Sequence, residues 1–228
     1  YESYYAFQGR YAVTQRRSMG QAAFQQIVGY KNLDELTANI DRFSFRVLKK
    51  DCLDLPEKIY TVRYVTLTDE QAKMYSLLQQ QAMLMFDDGE MVSAPAVITQ
   101  MLRIQQVMSG HLKTDDGEMK YFPSRRMDAL EEITEEHQGK AIIWSRFRYD
   151  IIQITEMLNK KYGKGSAAAY FGDTSDDDRA TAVLNFQNPN HPLRFFVGNP
   201  ATAGYGLTLT EANLVVYYAN DFNLETRI

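Results

Sequence analysis

The sequence predicts an α/β fold with a parallel sheet in its C-terminal half, and three observations carry that expectation. From Lys140 onward, short apolar runs recur: Ala141-Ile-Ile-Trp144, Ala167-Ala-Ala-Tyr170, Arg194-Phe-Phe-Val197 and Leu214-Val-Val-Tyr-Tyr218. Runs of this length without polar alternation suit strands buried on both faces. Between them lie stretches of helical character, at about 149–161 and 176–186, so strands alternate with helices as in a doubly wound sheet. Each strand also ends in a polar or glycine-containing loop, and ligands of such sheets meet the loops at the carboxyl ends of the strands.

The elements upstream follow in order. Tyr1 to about Leu55 reads as an irregular, aromatic-rich lead with short helical patterns, such as Leu33-Asp-Glu-Leu36 with Asn32 as its N-cap. Thr61-Val-Arg-Tyr-Val-Thr-Leu67 alternates apolar and polar residues, which predicts a half-buried strand. Thr68 is a good N-cap, and Asp69 and Glu70 favour the positive end of a helix that should run to about Phe86, where Asp87-Asp-Gly89 breaks it. A second helix, from Ala94 to Met108, carries Ile98, Met101, Leu102, Gln105 and Met108 on one face. A hydrophilic loop with Asp115-Asp-Gly117 follows, and Ser124 should cap a helix to about His137.

Composition narrows the function classes. At 228 residues the chain holds one large α/β domain, or one with a helical appendage. Its single cysteine, Cys52, excludes an intramolecular disulfide, and with three histidines it offers no zinc-ligand spacing. No apolar run approaches the roughly 20 residues a membrane helix needs. A net charge of −4 argues against a basic coat but leaves nucleic acid open, because the field that matters is local. Tyr1-Glu-Ser-Tyr4 has neither a start Met nor a signal-peptide core, so the chain reads as a segment of a longer polypeptide.

Three loops carry candidate chemistry. The first is Lys140-Ala-Ile-Ile-Trp-Ser-Arg-Phe-Arg148. A strand delivers Ser145 and the amides of the next helix's first turn to the sheet edge, where helix N-termini bind phosphate and arginines add charge-assisted hydrogen bonds. On its own this stretch reads equally as a buried strand followed by two solvated arginines. The second is Tyr170-Phe-Gly-Asp-Thr-Ser175, with Arg179 and Phe186 along the following helix. Thr174 or Ser175 should cap that helix, and the plain alternative is an ordinary capped loop over a core Phe186. The third is Val197-Gly-Asn-Pro-Ala-Thr-Ala-Gly-Tyr-Gly-Leu-Thr-Leu-Thr210, in which Gly204 and Gly206 let the backbone approach a ligand closely. A simple glycine turn is the alternative there.

Taken in order, these segments resemble motif IV, the Gly-x-x-Ser…Arg…Phe segment and motif V of SNF2-family ATPases, which belong to helicase superfamily 2. Tyr217-Tyr-Ala-Asn-Asp-Phe-Asn223 is similar to the family's Tyr-Asp-x-Asp-Trp-Asn-Pro stretch, with Asp221 and Asn223 kept, Phe222 in place of Trp, and departures at Ala219 and Leu224. Val28-Gly-Tyr-Lys-Asn-Leu-Asp-Glu-Leu36, Lys49-Lys-Asp-Cys-Leu-Asp-Leu-Pro56, Leu67-Thr-Asp-Glu-Gln71 and Leu102-Arg-Ile-Gln-Gln-Val-Met-Ser-Gly-His111 extend the resemblance over almost the whole chain.

That resemblance implies a RecA-like parallel sheet flanked by helices and preceded by a helical insertion and linker region. Residues 1–58 would be an inter-lobe segment packing on a first lobe outside the chain. Residues 59–228 would be the C-terminal motor lobe, with a helical protrusion at about 69–112 and a truncation before motif VI. It implies DNA contacts from Ser145, Arg146, Phe147, Arg148, Gly172, Thr174, Ser175, Arg179, Asn199, Thr202 and Ala203, and an ATP-facing group of Gly204, Gly206, Leu207 and Asp221. ATP and Mg2+ would serve the intact parent, with none held stably by this segment. DNA, chiefly duplex, and the first lobe would be the partners, with no membrane. No Gly-x-x-x-x-Gly-Lys-Ser/Thr phosphate loop and no Asp-Glu-x-His box occurs in the sequence, so the segment alone is expected to be inert as an ATPase.

The Phe222 variant and compact lobe lean towards the cytoplasm of a bacterium or phage-infected cell rather than a nucleus. A non-catalytic module that kept the lobe and lost the motor is the competing reading. A nucleotide-sugar transferase lacks its glutamate-rich site here. Tyr1, Tyr4, Tyr5, Phe7 and Tyr11 could form a base-stacking platform, but packing on the first lobe is the simpler expectation.

Overall fold

A computed structural model describes residues 3–19, 22–45, 47, 57–87, 94–114, 116–203 and 206–220. The chain divides into two compact units, Tyr1–Thr61 and Val62–Ile228.

In the N-terminal unit, helix α1 (Tyr4–Tyr11) is capped by Ser3, whose Oγ accepts from Ala6 N at 3.2 Å. It runs directly into a hairpin of β1 (Ala12–Met19) and β2 (Ala22–Tyr30), antiparallel with an irregularity between Val13 and Thr14. Helix α2 (Leu33–Ile40) follows. Arg10 clamps Glu35 through Nε to Oε1 at 2.8 Å and Nη2 to Oε2 at 2.6 Å, and the Tyr11 hydroxyl donates to the same carboxylate. Arg10 therefore holds the Glu35 carboxyl below its usual pKa. The ordered hairpin is a correction to the irregular lead expected there. Asn32 is another: it sits in the left-handed region (φ 53°) and makes no side-chain cap, and its amide instead donates to Arg10 O at 2.9 Å.

The larger unit opens with residues 62–68, which have no regular secondary structure and pair with no strand among the described residues. The predicted strand at 61–67 is thus corrected: the alternation is present without a sheet edge to pair with, and Tyr64 stays 94% exposed. Thr68 then starts α3 (Asp69–Asp87) through a reciprocal cap. Its Oγ1 accepts from Gln71 N, while the Gln71 amide oxygen accepts from Thr68 N. Gln71 is buried, and its Nε2 donates to Val107 O at 2.8 Å, which ties α3 to α4 (Ala94–Ser109). Leu78, Val107 and Leu112 make the small core of this protrusion, beside a short ladder of β3 (His111–Lys113) and β4 (Met119–Tyr121).

After α5 (Arg125–Glu136), capped by Ser124 Oγ, the chain builds the sheet: β5 (Lys140–Ser145), α6 (Arg148–Tyr162), β6 (Ala167–Tyr170), α7 (Asp176–Gln187), β7 (Phe195–Gly198), the short α8 (Pro200–Ala203) and β8 (Ala212–Ala219). The four strands are parallel, in the order β6-β7-β5-β8. Alternation sends Ala141, Ile143, Phe195 and Val197 to one face, packed on Leu130, Ile151, Ile154 and Leu158 of α5 and α6. Ile142, Trp144, Tyr170 and Phe196 fill the other face against Ala182 and Phe186 of α7 and Ala203 of α8. A sheet buried on both sides accounts for the unbroken apolar runs in the sequence. Gly198 ends β7 where a Cβ would stand 2.8 Å from the Trp144 ring and 3.1 Å from Tyr170 O.

Two cations that the sequence did not single out close the far ends of this sandwich. Lys140 Nζ donates to Phe186 O at 2.7 Å and Asn188 O at 2.6 Å at the carboxyl end of α7. The Arg194 guanidinium does the same for α5, donating to Thr134 O and His137 O, and to Gly139 O at 3.0 Å. Cations at helix C-termini satisfy orphan carbonyls and complement the helix dipole.

Candidate functional site

The loops singled out in the sequence meet at the carboxyl edge of this sheet, and Asn199 joins them. Its Nδ2 donates to Arg146 O at 3.0 Å, after β5, and its backbone N donates to Tyr170 O at 3.0 Å, at the end of β6. Its Oδ1 accepts from Ala201 N at 2.9 Å, capping α8, and its carbonyl accepts from Thr202 N and Ala203 N. One residue, through its side chain to the β5 loop and its backbone N to the end of β6, therefore ties the β5, β6 and β7 loops together.

Within that edge, the predicted contacts divide by what each side chain already touches. Arg148 pairs with Asp173 and lies 5.5 Å over the Phe171 ring, with the ion pair more than half exposed. Arg146 is half-buried, reaching Gln105 Oε1 of α4 at 3.4 Å, and its backbone N donates to Ala219 O. Gly172 is exposed and Thr174 half-buried, its Oγ1 accepting from Phe171 N at 3.1 Å.

Arg179 is turned back onto its own loop. It donates to Phe171 O at 3.0 Å and Gly172 O at 2.9 Å, pairs with Asp176 and stacks on Tyr170. Ser175 caps α7 as expected, but its hydroxyl also donates to Asp178 Oδ2 at 2.7 Å. Asp176, Asp177 and Asp178 crowd that first turn. Carboxylates there already meet the positive end of the helix and would repel a phosphate. Phe147 packs into the sheet's core, edge-on to His111 at 5.1 Å. Ser145 is the plain correction: it has no exposed surface, and its hydroxyl donates inward to Asp150 Oδ2 at 2.7 Å.

On the nucleotide side, Gly206 lies in the left-handed region (φ 78°) with open space where a Cβ would stand, so its backbone is approachable. Leu207 is half-buried against the second core, which leaves it a packing role. Gly204 and Asp221 lie outside the described residues. Thr202 is half-buried and the Ala203 side chain is buried, and the N–H groups of both are already taken by Asn199 O.

Behind the edge lies a buried polar cluster that sequence reasoning missed, because its members are distant in the chain. His111 of β3 and Asp150 of α6 are both almost wholly buried, with Nδ1 3.5 Å from Oδ1. That distance is within ion-pair reach, but Nδ1 is not aligned for a hydrogen bond. Arg126 donates to Tyr218 O at 3.2 Å and Ser109 Oγ at 3.4 Å. Burial pushes the His111 imidazole down to about 4, so it is neutral at pH 7. Burial raises Asp150 to about 6, against hydrogen bonds from Ser145 and Ser109 that hold it lower. A cavity of about 140 Å³ opens beside the carboxylate, lined in part by Ser109, Ser124, Tyr149 and Tyr218. The cluster joins the protrusion to the sheet's carboxyl edge.

Residues 125–228 match the helicase conserved C-terminal domain. A Sulfolobus solfataricus SWI2/SNF2 ATPase core solved in complex with dsDNA superposes with a TM-score of 0.58 at 28% identity, covering 81% of this chain and 40% of that one. Over these residues the chain carries a helicase C-terminal domain, and its likeness is to the SNF2 type. The C-terminal domain of the Sulfolobus ATPase alone gives a TM-score of 0.56 at 25% identity, over 71% of this chain and 72% of that one. Among curated relatives, the SWI/SNF chromatin-remodeling complex subunit snf22 of Schizosaccharomyces pombe is 25% identical over 79% of this chain and 12% of its own length. An uncharacterized ATP-dependent helicase of Mycoplasma genitalium, MG018, is 24% identical over 86% of this chain and 19% of its own. The chain spans 10% to 22% of the length of the curated relatives it matches.

Proposed function

We propose that Val62–Ile228 is the second lobe of an ATP-driven DNA translocase, gripping one strand of a duplex with the loops at the carboxyl edge of its sheet. The observation that carries this reading is the Asn199 junction, which makes three separate loops one surface. Arg146, Arg148, Gly172, Thr174 and Thr202 form the grip, with Ala203 packed beneath them. Ser145, Phe147, Arg179 and Asn199 hold it in shape from within. The Arg148–Asp173 pair is exposed, so a phosphate can take the carboxylate's place at little cost, since exposed pairs contribute about 1 kcal/mol or less.

ATP and Mg2+ would be shared with a first lobe. Hydrolysis needs a phosphate cradle and metal ligands, and this sequence contains no phosphate loop. The open Gly206 backbone is what this lobe offers the nucleotide among its described residues. Closure of two such lobes would shift their DNA contacts relative to one another, which is how a cleft motor steps.

The test compares ATP hydrolysis by the full-length protein, with and without duplex DNA, against this 228-residue chain. Turnover stimulated by duplex in the former and absent in the latter supports the reading. A full-length protein that binds DNA without turnover points instead to a binding module derived from a motor lobe.

A further inference from the structure

We infer that the β1–β2 hairpin is a DNA-contacting arm that enters the major groove of a duplex, a contact separate from the sheet-edge loops. Four observations lead there. Between Glu2 and Asp34 the sequence has no acidic residue, yet it has Arg10, Arg16, Arg17 and Lys31, in a chain whose net charge is −4. Arg10 is neutralised by Glu35, but Arg16 and Arg17 have no ion-pair partner among the described residues.

Both faces of the ribbon are open. Thr14 to Ser18 and Ala23 to Val28 are all exposed. Opposed residues share a face, so Arg16 stands with Gln25 on one side, and Arg17 with Phe24 and Gln15 with Gln26 on the other. The apolar residues Val13, Ile27 and Val28 gather at the end joined to α1 and α2, which leaves Met19 and Phe24 as the large apolar residues between Thr14 and Gln26. A hairpin that docked its length on a protein would need one apolar face, and the described side chains of this ribbon form none.

The shape suits the partner. Two strands about 4.8 Å apart, with side chains on both faces, make a ribbon that a B-form major groove of about 12 Å admits, whereas the deep, narrow groove of duplex RNA does not. Arginines on opposite faces reach phosphates on either wall of the groove. Gln15, Gln25 and Gln26 then bring amides to base edges, where glutamine can bond adenine through two hydrogen bonds.

The experiment is duplex DNA binding by the full chain over a salt series, read by anisotropy, for the wild type, R16A/R17A, R16K/R17K and R146A/R148A. Two lost phosphate contacts should flatten the log–log salt slope by about 1.8 in R16A/R17A. R16K/R17K should restore it, which a merely misfolded hairpin would not do. An unchanged slope in R16A/R17A beside a flattened one in R146A/R148A overturns the arm, assigns the hairpin to a protein surface and leaves the lobe reading standing. The opposite pattern supports the arm and removes the sheet-edge loops as the DNA site. No duplex binding by the wild-type chain sinks the arm outright.

Discussion

The four-stranded sheet and the two-stranded hairpin are built from strands of opposite character. In the sheet, Ile143, Phe195, Phe196 and Val197 have essentially no exposed surface, because helices cover both faces. In the hairpin, every described residue from Val13 to Ser18 is exposed. The sheet is held by what its side chains bury. The hairpin is held mainly by its backbone ladder and by the helices at its base, which leaves its side chains free for a partner. Such a ribbon is marginal alone.

Cutting into each region should expose that difference, and the sheet should respond most. Phe196→Ala removes a fully buried ring that touches Trp144, Tyr170 and Phe186. It should cost about 3–5 kcal/mol, read from the denaturant midpoint of the emission of the chain's single tryptophan. Phe24→Ala in the hairpin should change stability by about 0.5 kcal/mol or less in the same assay. Comparable losses from the two would mean the hairpin is packed rather than presented.

A smaller, pH-dependent effect belongs to the buried cluster beside the sheet. His111, with its pKa lowered from 6.5 to about 4, resists protonation in the fold, so its contribution falls as pH drops from about 6.5 towards 4. Asp150, raised from 3.8 to about 6, favours its protonated form in the fold, so its contribution falls as pH rises from about 4 to 6. The two slopes oppose each other across nearly the same window. Asp150→Asn removes one of them. Its stability should then rise with pH between 4 and 6 more steeply than the wild type's, by up to about 1.4 kcal/mol per pH unit. Parallel profiles for the two proteins would show that the groups do not compensate.

The smallest expected effect lies at the hairpin's base. Glu35 is held below its usual pKa by Arg10, so this pair's contribution is present at neutral pH and lost as the carboxylate protonates in acid. Arg10→Ala should speed hydrogen exchange in α2 at pH 7, with the difference gone once Glu35 is protonated. A difference that persists in acid would assign the effect to lost packing of the arginine stem instead.

What was legible in the sequence follows the same divide. Continuous apolar runs marked β5, β6 and β7 because burial on both faces leaves no room for polar alternation; β8 carries such a run at the sheet edge, where Val215 stays exposed. Thr68, Ser124 and Ser175 marked helix starts because a cap is a local bond. The hairpin carried no such signal, since neither face is buried and its aromatics are scattered. Alternation at 61–67 predicted a strand, but alternation says nothing about whether an edge is free to pair.

Site residues were legible by place and less so by role. The three loops converge as their order in the chain implied, yet nothing local indicates that Ser145 turns inward to Asp150 or that Arg179 folds back on Gly172. His111 and Asp150 are neighbours only through the fold, as are Asn199 and Arg146.

Asn199 has a mechanical consequence. Its side-chain amide reaches the end of β5 and caps the helix after β7, while its backbone N bonds the end of β6, so the three loops have little freedom to shift separately. A push delivered to any one of them reaches the other two through bonds of about 3 Å. A surface built this way behaves as a rigid shoe on its track rather than three independent fingers, and an Asn199→Ala change, which keeps the backbone bond to Tyr170 O, would release the β5 loop from the other two.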